Sequence, residues 1–135
     1  CSSDLPELII DCPDDIHVRC PAGAFAQIFT NLIINSLIHG FENKPTGTGK
    51  INITIKREQD CLFIRYSDNG KGLTQEQSEK LFDQFYTTKH QQGGSGLGTH
   101  IIRNLVYQTL NGTIYPESKP GQGLTYIMKL PMTFI

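Results

Sequence analysis

No excess of charge marks this sequence. Twelve Lys and Arg against thirteen Asp and Glu leave a formal net charge of −1. Such balance gives no electrostatic ground for a nucleic acid or an acidic membrane as partner. No apolar run approaches the roughly 20 residues of a membrane span, and no signal peptide is visible. Cys1, Cys12, Cys20 and Cys61 contain no C-x-x-C pair. Cys12 and Cys20 could face each other across a hairpin, but free thiols are the expected state for a domain with its own core. No His/Cys/Asp set has zinc spacing, and no Ser or Cys sits in a nucleophile elbow. Thr46-Gly47-Thr48-Gly49-Lys50 is discarded as a phosphate loop: the preceding spacing is absent, no Ser or Thr follows the Lys, and a strand follows instead of a helix. There is no internal repeat, low-complexity tract or inter-domain linker. A chain of 135 residues fits one domain and buries roughly two thirds of its unfolded surface without staples. It starts at Cys1 rather than Met, so a piece of a longer protein is expected.

What is present reads as hairpin pairs and helices. Leu8 to Asp11 and Ile16 to Arg19 flank the turn cluster Cys12-Pro13-Asp14-Asp15, which predicts a hairpin. Pro21 suits the first turn of a helix. Residues 22 to 39 then place Phe25, Phe29, Leu32, Ile33 and Ser36 on one helical face. The loop from Phe41 to Lys50 is rich in Gly, Thr and Pro and is expected to be mobile. Ile51, Ile53 and Ile55 alternate with polar residues, and Cys61 to Tyr66 is expected to pair with them. Thr74-Gln75-Glu76-Gln77 has capping-box spacing for a short helix running to about Phe82. Leu97, Ile101, Ile102, Leu105 and Thr109 form a further helical stripe ended by Asn111-Gly112. Thr113 to Glu117 and Leu124 to Leu130 close as a hairpin. Strands that come in pairs argue for an α+β two-layer sandwich and against a Rossmann-type sheet.

Chemistry concentrates in three places. Gln27, Asn31, Asn35 and His39 are spaced by four, so they share a helix face. Ile28, Ile34, Leu37 and Ile38 surround or flank it, giving a helix apolar nearly all round with one polar seam. A buried amide left unpaired costs roughly 1–3 kcal/mol. The seam is therefore either satisfied by neighbouring backbone or faces a polar ligand or hydrated Mg²⁺, for which Asn oxygens are suitable. Asp68 heads the glycine cluster Asp68-Asn69-Gly70-Lys71-Gly72, where Gly70 and Gly72 allow positive φ and close approach of a ligand. A second cluster, Gly93-Gly94-Ser95-Gly96-Leu97-Gly98, runs into a helix start, a place where backbone amides bind phosphate.

Taken together and in this order, the motifs resemble those of the ATP-binding catalytic domain of a sensor histidine kinase. That domain is a member of the GHKL group with gyrase, MutL and heat-shock-90-type chaperones. Asn31 to Ser36 resembles the N box, and Asp68 to Gly72 the first glycine box. Leu81 to Lys89 resembles the F box, Gly94 to Gly98 the second glycine box, and Gly121 to Tyr126 the last conserved turn and strand. The resemblance spans about residue 5 to Leu130. It implies the Bergerat ATP-binding fold: a mixed, mostly antiparallel sheet covered by three helices, in a single domain over residues 1–135. It further implies that Asp68 accepts a hydrogen bond from the adenine amine, helped by Thr125 through water, with Gly70 and Gly72 making room. Residues from about 83 to 94 would form an ATP lid anchored by Phe82 and Phe85, with Lys89 reaching the phosphates. Gly94, Ser95, Gly96, Leu97 and Gly98 would meet the triphosphate. Asn35 would ligate Mg²⁺, with Asn31 beside it and His39 near the phosphates.

One position separates members of that group. ATP-hydrolysing members and anti-sigma serine kinases usually carry Glu four residues before the metal Asn; here it is Asn31, which cannot take a proton. That fits donation of a phosphoryl group to a histidine, already a nucleophile when neutral. The chain departs from the pattern at Ile38, where a Lys is frequent, and at Thr99, where a Leu is frequent. None of His17, His39, His90 and His100 looks like a substrate histidine. The expected function is therefore Mg-ATP binding and γ-phosphoryl transfer to a histidine on a separate dimerisation domain, with a response regulator downstream. The expected location is cytoplasmic, with a parent protein either free or anchored in the inner membrane. The rivals are a GHKL ATPase or anti-sigma-type serine kinase, and a degenerate module that only binds partners.

Overall fold

The computed structural model describes residues 7–41, 48–72, 96–118 and 121–134; for His39 and residues 96–99 it describes the backbone alone. In chain order the elements are β1 (Glu7–Asp11), β2 (Val18–Arg19), α1 (Ala22–Asn35) continued by a π turn (Ser36–Gly40), β3 (Lys50–Glu58), β4 (Cys61–Asp68), α2 (Gly96–Asn104) continued by a second π turn (Leu105–Thr109), β5 (Thr113–Ser118), β6 (Leu124–Pro131) and β7 (Thr133–Phe134). Five strands form one mixed sheet in the order β1-β3-β4-β6-β5, and β2 pairs with β7 in a second sheet. In the large sheet β1–β3 is parallel and the other pairs are antiparallel. The α+β sandwich with a mixed, mostly antiparallel sheet is thus the observed fold. The expected helix from Thr74 and the loop at 42–47 lie outside the described residues.

Alternation decides which face of the sheet is covered. Ile51 and Ile53 of β3, Leu62, Ile64 and Tyr66 of β4, and Tyr126, Met128 and Leu130 of β6 are all buried, two residues apart along each strand. They meet Ala24, Ile28 and Leu32 of α1 and Ile102 and Val106 of the α2 segment in one core. Each large aliphatic side chain so buried contributes about 1.5–3 kcal/mol. The same period carries Asp68 to the buried side at the end of β4. A carboxylate there is the first sign of a site.

Two readings of the sequence are corrected. The hairpin expected from Leu8 to Arg19 does not form. Instead β1 lies parallel to β3, with Leu8 opposite Ile51 and Ile10 opposite Ile53, while Val18 faces Phe134. Parallel pairing gives β1 a five-residue ladder beside the core; the two residues of β2 could not match it. With no hairpin, Cys12 and Cys20 are not cross-strand partners, and both are free thiols, as is Cys61. The first helix, moreover, is not surrounded on every side: Ile34, Leu37 and Ile38 are 39%, 46% and 47% exposed. Its buried stripe is Ala24, Ile28, Leu32 and Ser36. The second helical stretch ends as expected, with Asn111 in the left-handed region at φ 55°.

Tyr66 and Tyr126 stand at the centre of the core with ring centroids 6.4 Å apart. Burial, above all, pushes both phenols above their ordinary value of 10, and the neighbouring Asp68 charge acts in the same direction. An acid raised in the folded state keeps its full contribution to stability below its unfolded pKa and loses it as pH rises. Urea midpoints should therefore stay level up to about pH 10 and fall above it, and Tyr66→Phe should reduce that fall. An identical alkaline slope in the variant would contradict this.

Candidate functional site

Ser36, Tyr66 and Asp68 are brought together by two elements. The buried stripe of α1 runs on into Ser36, 3% exposed, and the inward phase of β4 carries Tyr66 and Asp68, 0% and 5% exposed. A buried carboxylate is tolerated when hydrogen bonds replace its water. Oδ1 of Asp68 accepts the backbone N–H of Gly70 at 2.9 Å and that of Leu124 at 3.2 Å. Oδ2 accepts the Ser36 hydroxyl at 2.8 Å. Behind it, Ser36 Oγ lies 2.7 Å from Tyr66 Oη, and Tyr66 donates to the Leu32 carbonyl at 3.0 Å. A carboxylate has about four lone-pair positions. Among the described residues three are filled, and the fourth lies on Oδ2.

Missing side chains shape the space around this group. A Cβ on Gly40 would stand 3.0 Å from Asp68 Oδ2, one on Gly70 would overlap the Gly40 carbonyl, and one on Gly123 would overlap the Asp68 carbonyl. Gly72 takes φ 71°, as expected, whereas Gly70 is not in the left-handed region. Positive φ is thus not why glycine stands at 70; the close crossing of the Gly40 backbone is. Lys71 N–H closes that crossing by donating to the Gly40 carbonyl at 2.8 Å. Asn69 ties the loop to the start of β3, its Oδ1 accepting from Lys50 N–H at 2.7 Å and its Nδ2 donating to the Thr48 carbonyl at 3.1 Å.

Of the polar seam on the first helix, Gln27 is exposed while Asn31 and Asn35 are half-buried. Asn31 Nδ2 is a buried amide nitrogen with no hydrogen-bond partner among the described residues. Asn31 and Asn35 lie on the last turns of the helix whose π-turn continuation supplies Ser36 and Gly40. His39 belongs to that turn, with its backbone alone described. Thr125 is 8% exposed and donates to Ser67 Oγ at 3.2 Å, one residue along β6 from the Leu124 amide that holds Asp68. Gly96, Leu97 and Gly98 form the first turn of α2. Phe82, Phe85, Lys89, Gly94, Ser95 and the expected lid at about 83–94 lie outside the described residues.

His100, on α2, shares its Nε2 with Asn104 Nδ2 at 3.1 Å, and its buried Nδ1 has no partner among the described residues. No group of three or more metal-binding His, Cys, Asp or Glu side chains occurs among the described residues. A cavity of about 320 Å³ between Pro21, Leu110 and Met132 contains none of the expected site residues. Pro21 stands at the N-cap of α1, so this cavity lies at the opposite end of the helix from Gly40. Among the described residues no helix is long and apolar enough to cross a membrane.

Sequence reading missed three contributors: the hydroxyl roles of Ser36 and Tyr66, and the role of Gly40. A signal for the first two existed. Ser36 is a hydroxyl at the end of an apolar i, i+4 stripe, and Tyr66 stands two residues before Asp68, hence on its face.

The fold agrees with the comparisons to known proteins. A family model described as histidine kinase-, DNA gyrase B-, and HSP90-like ATPase matches residues 22–133. The chain is 32% identical over 130 residues to the sensor histidine kinase WalK of Bacillus subtilis (strain 168), covering 93% of this chain and 21% of that protein. It is 33% identical over 128 residues to sporulation kinase E of the same organism, covering 93% of this chain and 16% of that protein. It therefore spans about a fifth or less of these curated relatives. Among solved structures it resembles the nucleotide-free catalytic domain of histidine kinase ThkA, with a TM-score of 0.77 at 27% identity over 95% of this chain and 79% of that one. Full-length ShkA in complex with AMPPNP shares the fold at a TM-score of 0.79 and 20% identity, covering 98% of this chain and 27% of that one.

Proposed function

Since the chain belongs to the histidine kinase-, DNA gyrase B-, and HSP90-like ATPase family, we propose that it binds Mg-ATP and donates the γ-phosphoryl group to a histidine on a separate dimerisation domain of a two-component sensor kinase. The observation that carries this reading is Asp68: a buried carboxylate that among the described residues is held by three protein donors with one acceptor position left, and with no side chain at Gly40 to occupy the space beside it. Such a group accepts from the amine of adenine and repels the carbonyl that guanine carries there. Thr125 supports the base edge from the neighbouring strand.

The orphaned Asn31 amide and the glycine cradle fit a polar ligand, and the Asn35 side-chain oxygen is of the hard type Mg²⁺ takes, since that ion keeps several waters and shares phosphates. When bound, ATP supplies the phosphoryl group and Mg²⁺ spreads its charge. This chain's residues bind and orient. Asp68 fixes the base, Asn35 holds the ion with Asn31 beside it, and the amides of Gly96, Leu97 and Gly98 at the start of α2 face the phosphates. His39, Lys89, Phe82, Phe85, Gly94 and Ser95 complete the set. Asn31 offers no lone pair basic enough to take a proton from water, so the acceptor nucleophile comes from the partner domain.

Radiolabelled ATP tests this. The chain alone should bind Mg-ATP, release phosphate slowly and carry no label. A separately supplied dimerisation domain with its own acceptor histidine should become labelled, more slowly than a tethered one because effective concentration is lost. Rapid phosphate release by the chain alone, abolished by Asn35→Ala, would instead reveal a self-sufficient ATPase. Absence of ATP binding would make it an interaction module.

A further inference from the structure

Ser36 and Tyr66 contribute hydroxyls to a buried chain of oxygens that ends on Asp68. The contacts run from the Leu32 carbonyl to Tyr66 Oη at 3.0 Å, on to Ser36 Oγ at 2.7 Å, and to Asp68 Oδ2 at 2.8 Å. Both ends accept only. With Asp68 ionised, the Ser36 proton goes to Oδ2, and the single Tyr66 proton is shared between Ser36 Oγ and the Leu32 carbonyl. Tyr66 lies against Ser36 Oγ and, with Asp68 ionised, favours the orientation in which that hydroxyl donates to Oδ2. The two backbone amides on Oδ1 fix that oxygen and, because a carboxylate is planar, the twist of the whole group, so what is left to decide is which donor meets each lone pair of Oδ2.

We infer that Ser36 and Tyr66 are positioning residues for nucleobase specificity: Ser36, backed by Tyr66, fills one side of Asp68 Oδ2, so that the remaining lone pair of that oxygen is left to an amine donor. Neither touches the base; Tyr66 is 0% exposed and lies behind Ser36. The inference rests on the reading of Asp68 as the adenine-recognising group and assigns the selectivity of that group to the α1–β4 contact. With the Ser36 hydroxyl gone, the side of Oδ2 it filled would take an ordered water, which would satisfy the oxygen whether or not the purine carries an amine.

Titration calorimetry on the whole chain tests it with two probes, ATP and the triphosphate of purine riboside, which carries hydrogen where adenine has its amine. The wild-type chain should prefer ATP. Ser36→Ala should shrink that preference about fivefold, the worth of one hydrogen bond. Tyr66→Phe removes one oxygen from a buried ring, preserves its shape and should shrink it about two- to threefold. The double variant should lose little beyond Ser36→Ala, because the tyrosine acts through the serine. A purely structural role would weaken both probes alike. An unchanged ratio in folded Tyr66→Phe, or additive losses in the double variant, would overturn the inference while leaving adenine recognition intact. A wild-type chain with no preference for ATP would instead defeat the reading of Asp68 itself.

Discussion

Asp68→Asn is expected to cost about 10- to 150-fold in ATP affinity, the worth of one hydrogen bond to a charged group, while the chain stays folded. The substitution is isosteric. The Asn carbonyl can keep the two amides of Gly70 and Leu124 that now meet Oδ1, which forces its NH₂ to the Oδ2 position. There Ser36 can turn to accept it, so the buried network stays satisfied. The ligand side has no such remedy, because an NH₂ faces the adenine amine donor to donor. Calorimetry checks the affinity, and an unaltered urea midpoint checks the fold. A folded variant with wild-type affinity would remove Asp68 from the site.

The second large effect concerns stability and pairs two glycines of one turn. Gly121 and Gly123 both lie in the left-handed region, at φ 78° and 82°. A Cβ on Gly121 meets nothing within 4 Å, whereas one on Gly123 overlaps the carbonyl oxygen of Asp68. Gly121→Ala should therefore cost only the left-handed backbone penalty, about 1–2 kcal/mol. Gly123→Ala adds overpacking, and the sum should reach about 2–5 kcal/mol. Since Leu124 N–H holds Asp68, Gly123→Ala should also weaken ATP binding, which Gly121→Ala should leave alone. Urea denaturation and calorimetry on both variants decide; equal stability losses would show that the crossing at 123 relaxes freely.

Local pattern in the sequence was enough for the features whose physics is local. The i, i+4 stripe of the first helix, the alternation of Ile51, Ile53 and Ile55, the closing hairpin of β5 and β6 and the stop at Asn111 all follow from side-chain period or turn chemistry within a few residues. So does the inward phase of Asp68, which sits at even spacing from Leu62, Ile64 and Tyr66. Features that join distant segments were decided by the tertiary structure. A short apolar run such as Leu8 to Asp11 has the same pattern whether it pairs with its neighbour or with β3, and only the available edge of the sheet settles the choice. Glycine at 70 looks like a residue chosen for positive φ until the Gly40 backbone is seen crossing it. Ile34, Leu37 and Ile38 have the composition of a buried face, yet among the described residues the core lies on the side of Ala24, Ile28 and Leu32, and these three are left exposed. The bond from Ser36 to Asp68 spans 32 residues. No periodicity encodes it, because a hydrogen bond depends on where two elements meet in space, and that is set by the packing of α1 on β4.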